Sequence, residues 1–339
     1  MKPYFDYTET DKRYYEANIS NRIPKKVFDA HVHVNLPEHV AMVPDERWLS
    51  DWALECGHLL PAEDAYACAK QLFPGVEYHI AGFPWPIKEA DMRGNNRYLA
   101  EMKKKKKLSP FMAVRPEWNI DEIEKTLIEG DFVGFKPYPD MVTGVKGADI
   151  SIFDYFPKPQ WQLLNKHKKA VMLHLPRKER LADKMNIKEL LDARQTFAEV
   201  AIIIAHFGRS FVPYYLAAGL AQISDISGFY FDTSAVINPA VYELAFDKIP
   251  SENIIYGSDM PITFWHGKRE WTERDYVNIC RENFTWKKIY RSKEEEARYT
   301  VFLYEEVRSI LDMIDKKNLG DEAKNKIFYE NAMKALKLQ

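Results

Sequence analysis

Near-continuous apolar runs recur along the chain at 27–33, 77–82, 108–114, 132–137, 170–175, 200–205, 228–232 and 253–258. Runs that do not alternate between apolar and polar residues predict parallel strands buried on both faces. Helical periodicity follows most of them, at 61–72, 89–105, 120–129, 159–168, 187–199, 213–222 and 239–247. Pro61, Pro159, Pro213 and Pro239 stand at or near the starts of these stretches, where the missing N–H of proline costs nothing. Eight strands alternating with helices predict a (β/α)8 TIM barrel. The rival, a doubly wound open sheet, carries a glycine-rich turn after its first strand, whereas here that strand ends in DAHVHVNL with no glycine.

Three segments exceed the minimal barrel. Residues 1–26 form an N-terminal arm. Residues 34–57, with Trp48 and Trp52, form a long loop after strand 1, read as a lid or a dimer contact. Residues 260–339 are expected to add two helices, at 293–315 and 321–336, packed on the outside of the barrel. With no linker visible, residues 1–339 read as one domain, its barrel core at about 27–259 and a C-terminal helical extension after it.

Composition narrows the function classes. The 339 residues carry 48 Lys+Arg against 50 Asp+Glu, so charge gives no argument for a nucleic-acid or membrane partner. The lysine run 103–107 reads as the solvated end of a helix. Cys56, Cys68 and Cys280 are odd in number and widely spaced, which argues against a disulfide framework or a cysteine metal site. With no apolar N-terminal region and no membrane-length apolar run, the expected location is the cytoplasm.

The candidate chemistry lies at the strand ends. In a barrel, side chains at the C-terminal ends of the strands converge on one face. Strand 1 ends in His31 and His33, strand 4 in Lys136, strand 5 in His174, strand 6 in His206 and strand 8 in Asp259. Taken singly, a buried histidine is often a hydrogen-bonded core residue, and Lys136, an odd guest on a buried strand, reads as an ion-pair partner of Asp259 or Asp232; Asp259 is less bland. Together they are not ordinary. His31 and His33, two apart on a strand, point the same way. An ionised Asp259 on an apolar strand needs a partner or a metal. Three imidazoles and a carboxylate form a catalytic zinc-type ligand set with room left for water.

The segments FDAHVH (28–33), GFKPYP (134–139), VMLHLP (171–176), AHFGR (205–209), YFDTSA (230–235), YGSDMP (256–261) and IFYENAMKAL (327–336) carry a resemblance. In this order the chain resembles the metal-dependent amidohydrolase superfamily, in the branch that includes aminocarboxymuconate-semialdehyde decarboxylase-like enzymes. The resemblance implies a distorted barrel in which His31, His33, His174 and Asp259 hold one divalent cation, zinc being the expected metal. It implies that His206 is an acid/base or electrostatic residue beside that metal. In binuclear members a carboxylated strand-4 lysine bridges two ions, so Lys136 and His206 mark the place of a second metal.

The implied chemistry is attack by metal-activated water, with Asp259 carrying the proton and His206 polarising the substrate. Arg115, Arg177 and Arg209 follow strands 3, 5 and 6 and suit a small carboxylated substrate, while Trp85 and Tyr138 are candidate pocket walls. A hydrolase of a C–N, ester or lactone bond is the first reading, tipped by Lys136. A decarboxylase or hydratase using the same site is the second, and a non-catalytic ligand-binding barrel the third. A homodimer or higher homo-oligomer fits this class.

Overall fold

The computed structural model describes residues 4–57, 59–144 and 149–338; residues 1–3 of the expected arm and residue 339 of the extension lie outside them. All eight expected strands form: β1 Lys26–His33, β2 Glu77–Phe83, β3 Phe111–Ala113, β4 Gly134–Lys136, β5 Ala170–Leu173, β6 Ala201–Ile204, β7 Phe229–Asp232 and β8 Ile254–Ile255. Strands β3 to β8 pair in parallel and in sequence order, and β1 pairs with β2. Backbone bonds join these two sets into a ring. Ser109 N–H donates to Ile80 O at 2.9 Å on one side. On the other, Ala30 N–H donates to Tyr256 O at 3.0 Å and His33 N–H to Met260 O at 2.8 Å. The result is the expected α/β barrel, distorted where these two seams replace regular ladders.

The apolar runs are continuous because each strand is buried on both faces. On β6, Ile203 packs into the interior with Phe28, Phe83, Phe111 and Met172, while Ile202 and Ile204 pack outward beneath the helices. Side chains set the helix starts as the sequence suggests. Asn119 accepts from the N–H groups of Asp121 and Glu122 to open the helix Ile120–Glu129, and Asp183 does the same for Lys184–Thr196.

Four departures matter. The N-terminal arm contains a helix, Glu9–Asn18, opened by a Thr8–Asp11 capping box. Its buried Asp11 also accepts from Val301 N–H at 2.8 Å and Thr300 Oγ1 at 2.9 Å and meets His266 Nε2 at 3.0 Å, tying the arm to the C-terminal extension. The loop 34–57 folds into three short helices, Pro37–Val40, Asp45–Trp48 and Trp52–Cys56. An antiparallel hairpin, β9 Gly267–Trp271 with β10 Tyr276–Cys280, stands in the extension expected to be helical.

The fourth departure concerns the C-terminus. The helix expected at 293–315 is divided into Lys293–Glu296 and Phe302–Lys316. The last helical segment does not lie outside the barrel. Its Ala332, Ala335 and Leu336 join the interior cluster, and Asn331 Nδ2 donates to Ser251 O and Ile254 O at 2.7 Å each. It therefore closes the barrel floor, opposite the face where the polar strand ends converge. Among the described residues, no helix is long and apolar enough to cross a membrane.

Candidate metal centre

His31 and His33 reach the barrel interior from β1. In that strand Asp29 pairs with Ile80 and Val32 with Gly82, so β1 carries one residue more than β2 beside His31. Bulges of this kind re-aim side chains next to active sites. Gly257 lets the end of β8 approach closely: a Cβ there would stand 2.7 Å from His31 Cβ. Asp259 N–H donates to His31 O at 2.9 Å, which places the carboxylate against both imidazoles.

His31 Nε2 and His33 Nε2 lie 3.4 and 3.3 Å from the same atom, Asp259 Oδ1. That oxygen is buried and has no hydrogen-bond partner among the described residues. Two imidazole nitrogens and an orphaned carboxylate oxygen converging on one point fit a divalent cation. The protonation states agree. Burial, aided by the charge of Lys136, brings His31 down to about 4, so its ring is neutral. Burial pushes the Asp259 carboxyl up, but His31, His33 and His206 outweigh it and hold the group well below the usual carboxylate range.

A second layer fixes the imidazoles. Asp232 Oδ2 lies 2.8 Å from His31 Nδ1, so a neutral His31 donates there and leaves Nε2 with its lone pair. Asp232 Oδ1 accepts from His206 N–H at 2.8 Å and Ser234 N–H at 3.1 Å. His206 Nδ1 lies 2.9 Å from Ser234 O, which leaves its Nε2 for the cavity. His31, His206 and Asp232 form a second close donor group.

The other expected donors stand around this core. His174 lines the same cavity, 5.4 Å from His206 between ring centroids, but its nitrogens fall in neither close donor group. Lys136 is 1% exposed, with Nζ 4.4 Å from the centre of the Phe83 ring. It makes no ion pair with Asp232 or Asp259; burial brings it down to about 8 while those carboxylates pull the other way.

The cavity, about 160 Å³, is lined by these donors and by Trp52, Trp85, Tyr138, Arg209, Phe211 and Tyr276. Trp85 stacks on His33, ring centroids 4.0 Å apart. Of the three arginines read from the sequence, only Arg209 lines this space. Arg177 is held by Glu189 at 3.5 Å in a neighbouring cleft, and Arg115 by Glu117 at 2.9 Å away from it. Left-handed backbone at His206, Phe207, Arg209, Ala235 and Asp259, none of them glycine, concentrates on this rim. Strain of this kind clusters at functional sites.

Trp85, Tyr138 and Arg209, expected from the segments just after strands, line the cavity, whereas sequence reasoning missed residues from more distant segments. Asp51 and Trp52 come from the loop 34–57, and Tyr276 from the hairpin. Trp52 belongs to the loop that the sequence marks as a lid or a dimer contact. The hairpin gave no signal, because its turn, 272–275, reads TERD and lacks the glycine or asparagine that marks such turns.

A barrel whose strand ends gather two histidines and an aspartate around one point is the architecture of a metal-dependent enzyme. The amidohydrolase family model matches residues 28–338, and the chain belongs to that family. No curated protein sequence matches it. Among solved structures it is similar to a 4-oxalomesaconate hydratase from Rhodopseudomonas palustris, with 16% identity over 92% of this chain and 95% of that one and a TM-score of 0.57. A probable 2-pyrone-4,6-dicarboxylic acid hydrolase from Acinetobacter baumannii, with citric acid bound, shares 14% identity over 92% and 99% at a TM-score of 0.55. A 5-carboxyvanillate decarboxylase from Novosphingobium aromaticivorans, complexed with manganese and 4-hydroxy-3-methoxy-5-nitrobenzoic acid, shares 14% over 92% and 96% at 0.55. At these identities the likeness is one of fold.

Proposed function

We propose that this protein is a divalent-metal-dependent lyase that removes CO2 from a small, planar carboxylic acid. The observation that carries the metal site is the convergence of His31 Nε2, His33 Nε2 and the unpartnered Asp259 Oδ1. A divalent cation seated there supplies Lewis acidity toward substrate oxygens and lowers the pKa of a ligated water. His174, which lines the same cavity, would complete the donor set. Manganese and zinc both suit two imidazoles with carboxylate oxygen, and a similar decarboxylase holds manganese.

The remaining residues do what positioned groups do. Aromatic walls from Trp52, Trp85, Phe211 and Tyr276 favour a flat, conjugated acid, whose electrons can accept the charge left when CO2 departs. Asp259, ionised in the free site, would take a proton from water and deliver it to the carbon that loses CO2, and His206 Nε2 would steady the substrate oxygen beside it. The three similar proteins are a hydratase, a probable hydrolase and a decarboxylase, the last complexed with an aromatic acid.

Hydrolysis of an ester, lactone or C–N bond is the second reading. Lys136 favours it: a buried amine brought down to about 8 is a donor for a developing oxyanion, and its neutral form can be carboxylated to bridge a second ion. Product analysis separates the two. Metal-loaded protein is incubated with aromatic carboxylic acids, carboxylated lactones and amides. One CO2 released per product is the expected result. Products that gain water without releasing CO2 would replace the lyase reading with hydrolysis.

A further inference from the structure

Three guanidinium groups lie in or behind the cavity wall, Arg209 in its lining and Arg180 and Arg269 against its aromatic rings, and none has a carboxylate partner among the described residues. Arg269 lies on β9, 2% exposed. Its Nε donates to Asn278 Oδ1 and its Nη1 to Ala235 O, both at 2.8 Å, while the buried Nη2 has no hydrogen-bond partner among the described residues. Arg209, after β6, donates to Leu175 O at 3.1 Å and Arg177 O at 3.3 Å. Arg180, after β5, donates to Arg209 O at 3.4 Å. Every acceptor is neutral.

Arg180 and Arg269 share two aromatic rings, and Arg180 reaches Arg209 through its backbone oxygen. The Arg269 guanidinium lies 4.3 Å from the centre of Tyr276 and 4.9 Å from Phe211; Arg180 lies 5.6 Å from Phe211 and 5.9 Å from Tyr276. Phe211, Tyr276 and Arg209 all line the cavity that holds Asp259 and the histidines. Asp259 and Glu306 act on Arg269 only at longer range, and Arg180 repels it. Arg180 and Arg209 both have left-handed backbone, at φ 56° and 64°.

Gathering like charges in a half-dry site is costly unless an anion joins them. We infer that Arg180, Arg209 and Arg269 form a second anion subsite, which binds a substrate carboxylate remote from the group at the metal. The substrate class is then a di- or tricarboxylic acid. A planar guanidinium fork suits carboxylate geometry, and the Nη2 of Arg269 is the free donor. The inference rests on reading this cavity as the active site.

The test is binding, measured by calorimetry on metal-loaded protein with benzoate, isophthalate and inorganic phosphate as probes. Isophthalate is expected to bind at least about tenfold more tightly than benzoate, the worth of one charged hydrogen bond. Arg269→Gln is expected to erase that preference while benzoate affinity stays within about twofold. Arg180→Gln, a change at a more exposed position, should reduce the preference in the same direction and guards against an Arg269 variant that fails to fold. Equal affinities for the two acids in the wild type, or loss of both together in the folded variants, would overturn the subsite. Phosphate binding more tightly than isophthalate, and lost in Arg269→Gln, would overturn its assignment to carboxylate. A dicarboxylate preference that survives with no metal-dependent activity would uphold the subsite and count against the lyase reading; activity without the preference would do the reverse.

Discussion

Asp259→Asn lowers kcat by roughly a hundredfold to ten-thousandfold, the usual worth of a positioned acid/base group. Among the described residues, the carboxylate is the one ionisable oxygen group that touches both β1 histidines, through Oδ1 at 3.3 and 3.4 Å. Asparagine preserves its size, and the backbone bond from residue 259 to His31 O is untouched. What is lost is the negative charge and the capacity to carry a proton. The amide is also a weaker metal donor, so kcat is compared at saturating metal, with bound metal measured alongside. A variant that keeps kcat within about twofold while fully metal-loaded would remove Asp259 from proton transfer.

Asp232→Asn weakens cation binding by about 10- to 100-fold, although Asp232 is not proposed as a metal ligand in the primary site. The reason is the orientation of its two oxygens. Oδ1 accepts from the backbone N–H groups of His206 and Ser234, which hold it in place. An asparagine at 232 keeps its oxygen there and turns its NH2 toward His31 Nδ1. His31 must then accept at Nδ1, which puts its proton on Nε2 and closes the lone pair that faces the metal. Titration of the apoprotein with Mn2+ or Zn2+, followed by calorimetry, reads the effect. An unchanged affinity in a folded variant would mean that the tautomer of His31 is set elsewhere.

The residues at or just beyond the strand ends were legible in the sequence, and those from the distant hairpin and the support given by Asp232 were not. His31 and His33 could be paired because strand periodicity is two. Asp259 stood out because a carboxylate at the end of IIYGSD has no bland reading as cheap as a surface loop. Asp232 was visible only as a partner for Lys136; its true neighbours, His31, His206 and Ser234, depend on how β6 and β7 lie beside β1. The arginines show the same limit. Arg115 and Arg177 follow strands as Arg209 does, yet the fold hands them to Glu117 and Glu189, because their acidic neighbours lie closer than the cavity. Arg269 sits in a charged stretch, KREWTERD, whose pattern resembles a surface loop until the hairpin folds it over Phe211 and Phe302. The terminal helix misled for a related reason. Small apolar residues such as Ala332 and Ala335 fit the outside of a barrel or its floor equally well, and only the contacts of Asn331 with the β8 segment decide.

The claim on which the rest stands is that the strand ends bind a divalent metal ion. Elemental analysis of the protein purified without added metal, and again after loading with Mn2+ or Zn2+ and removal of the excess, tests it directly. About one tightly held ion per chain is the predicted result, from two histidines and a carboxylate converging with a third histidine nearby. No retained ion under any loading condition would contradict it.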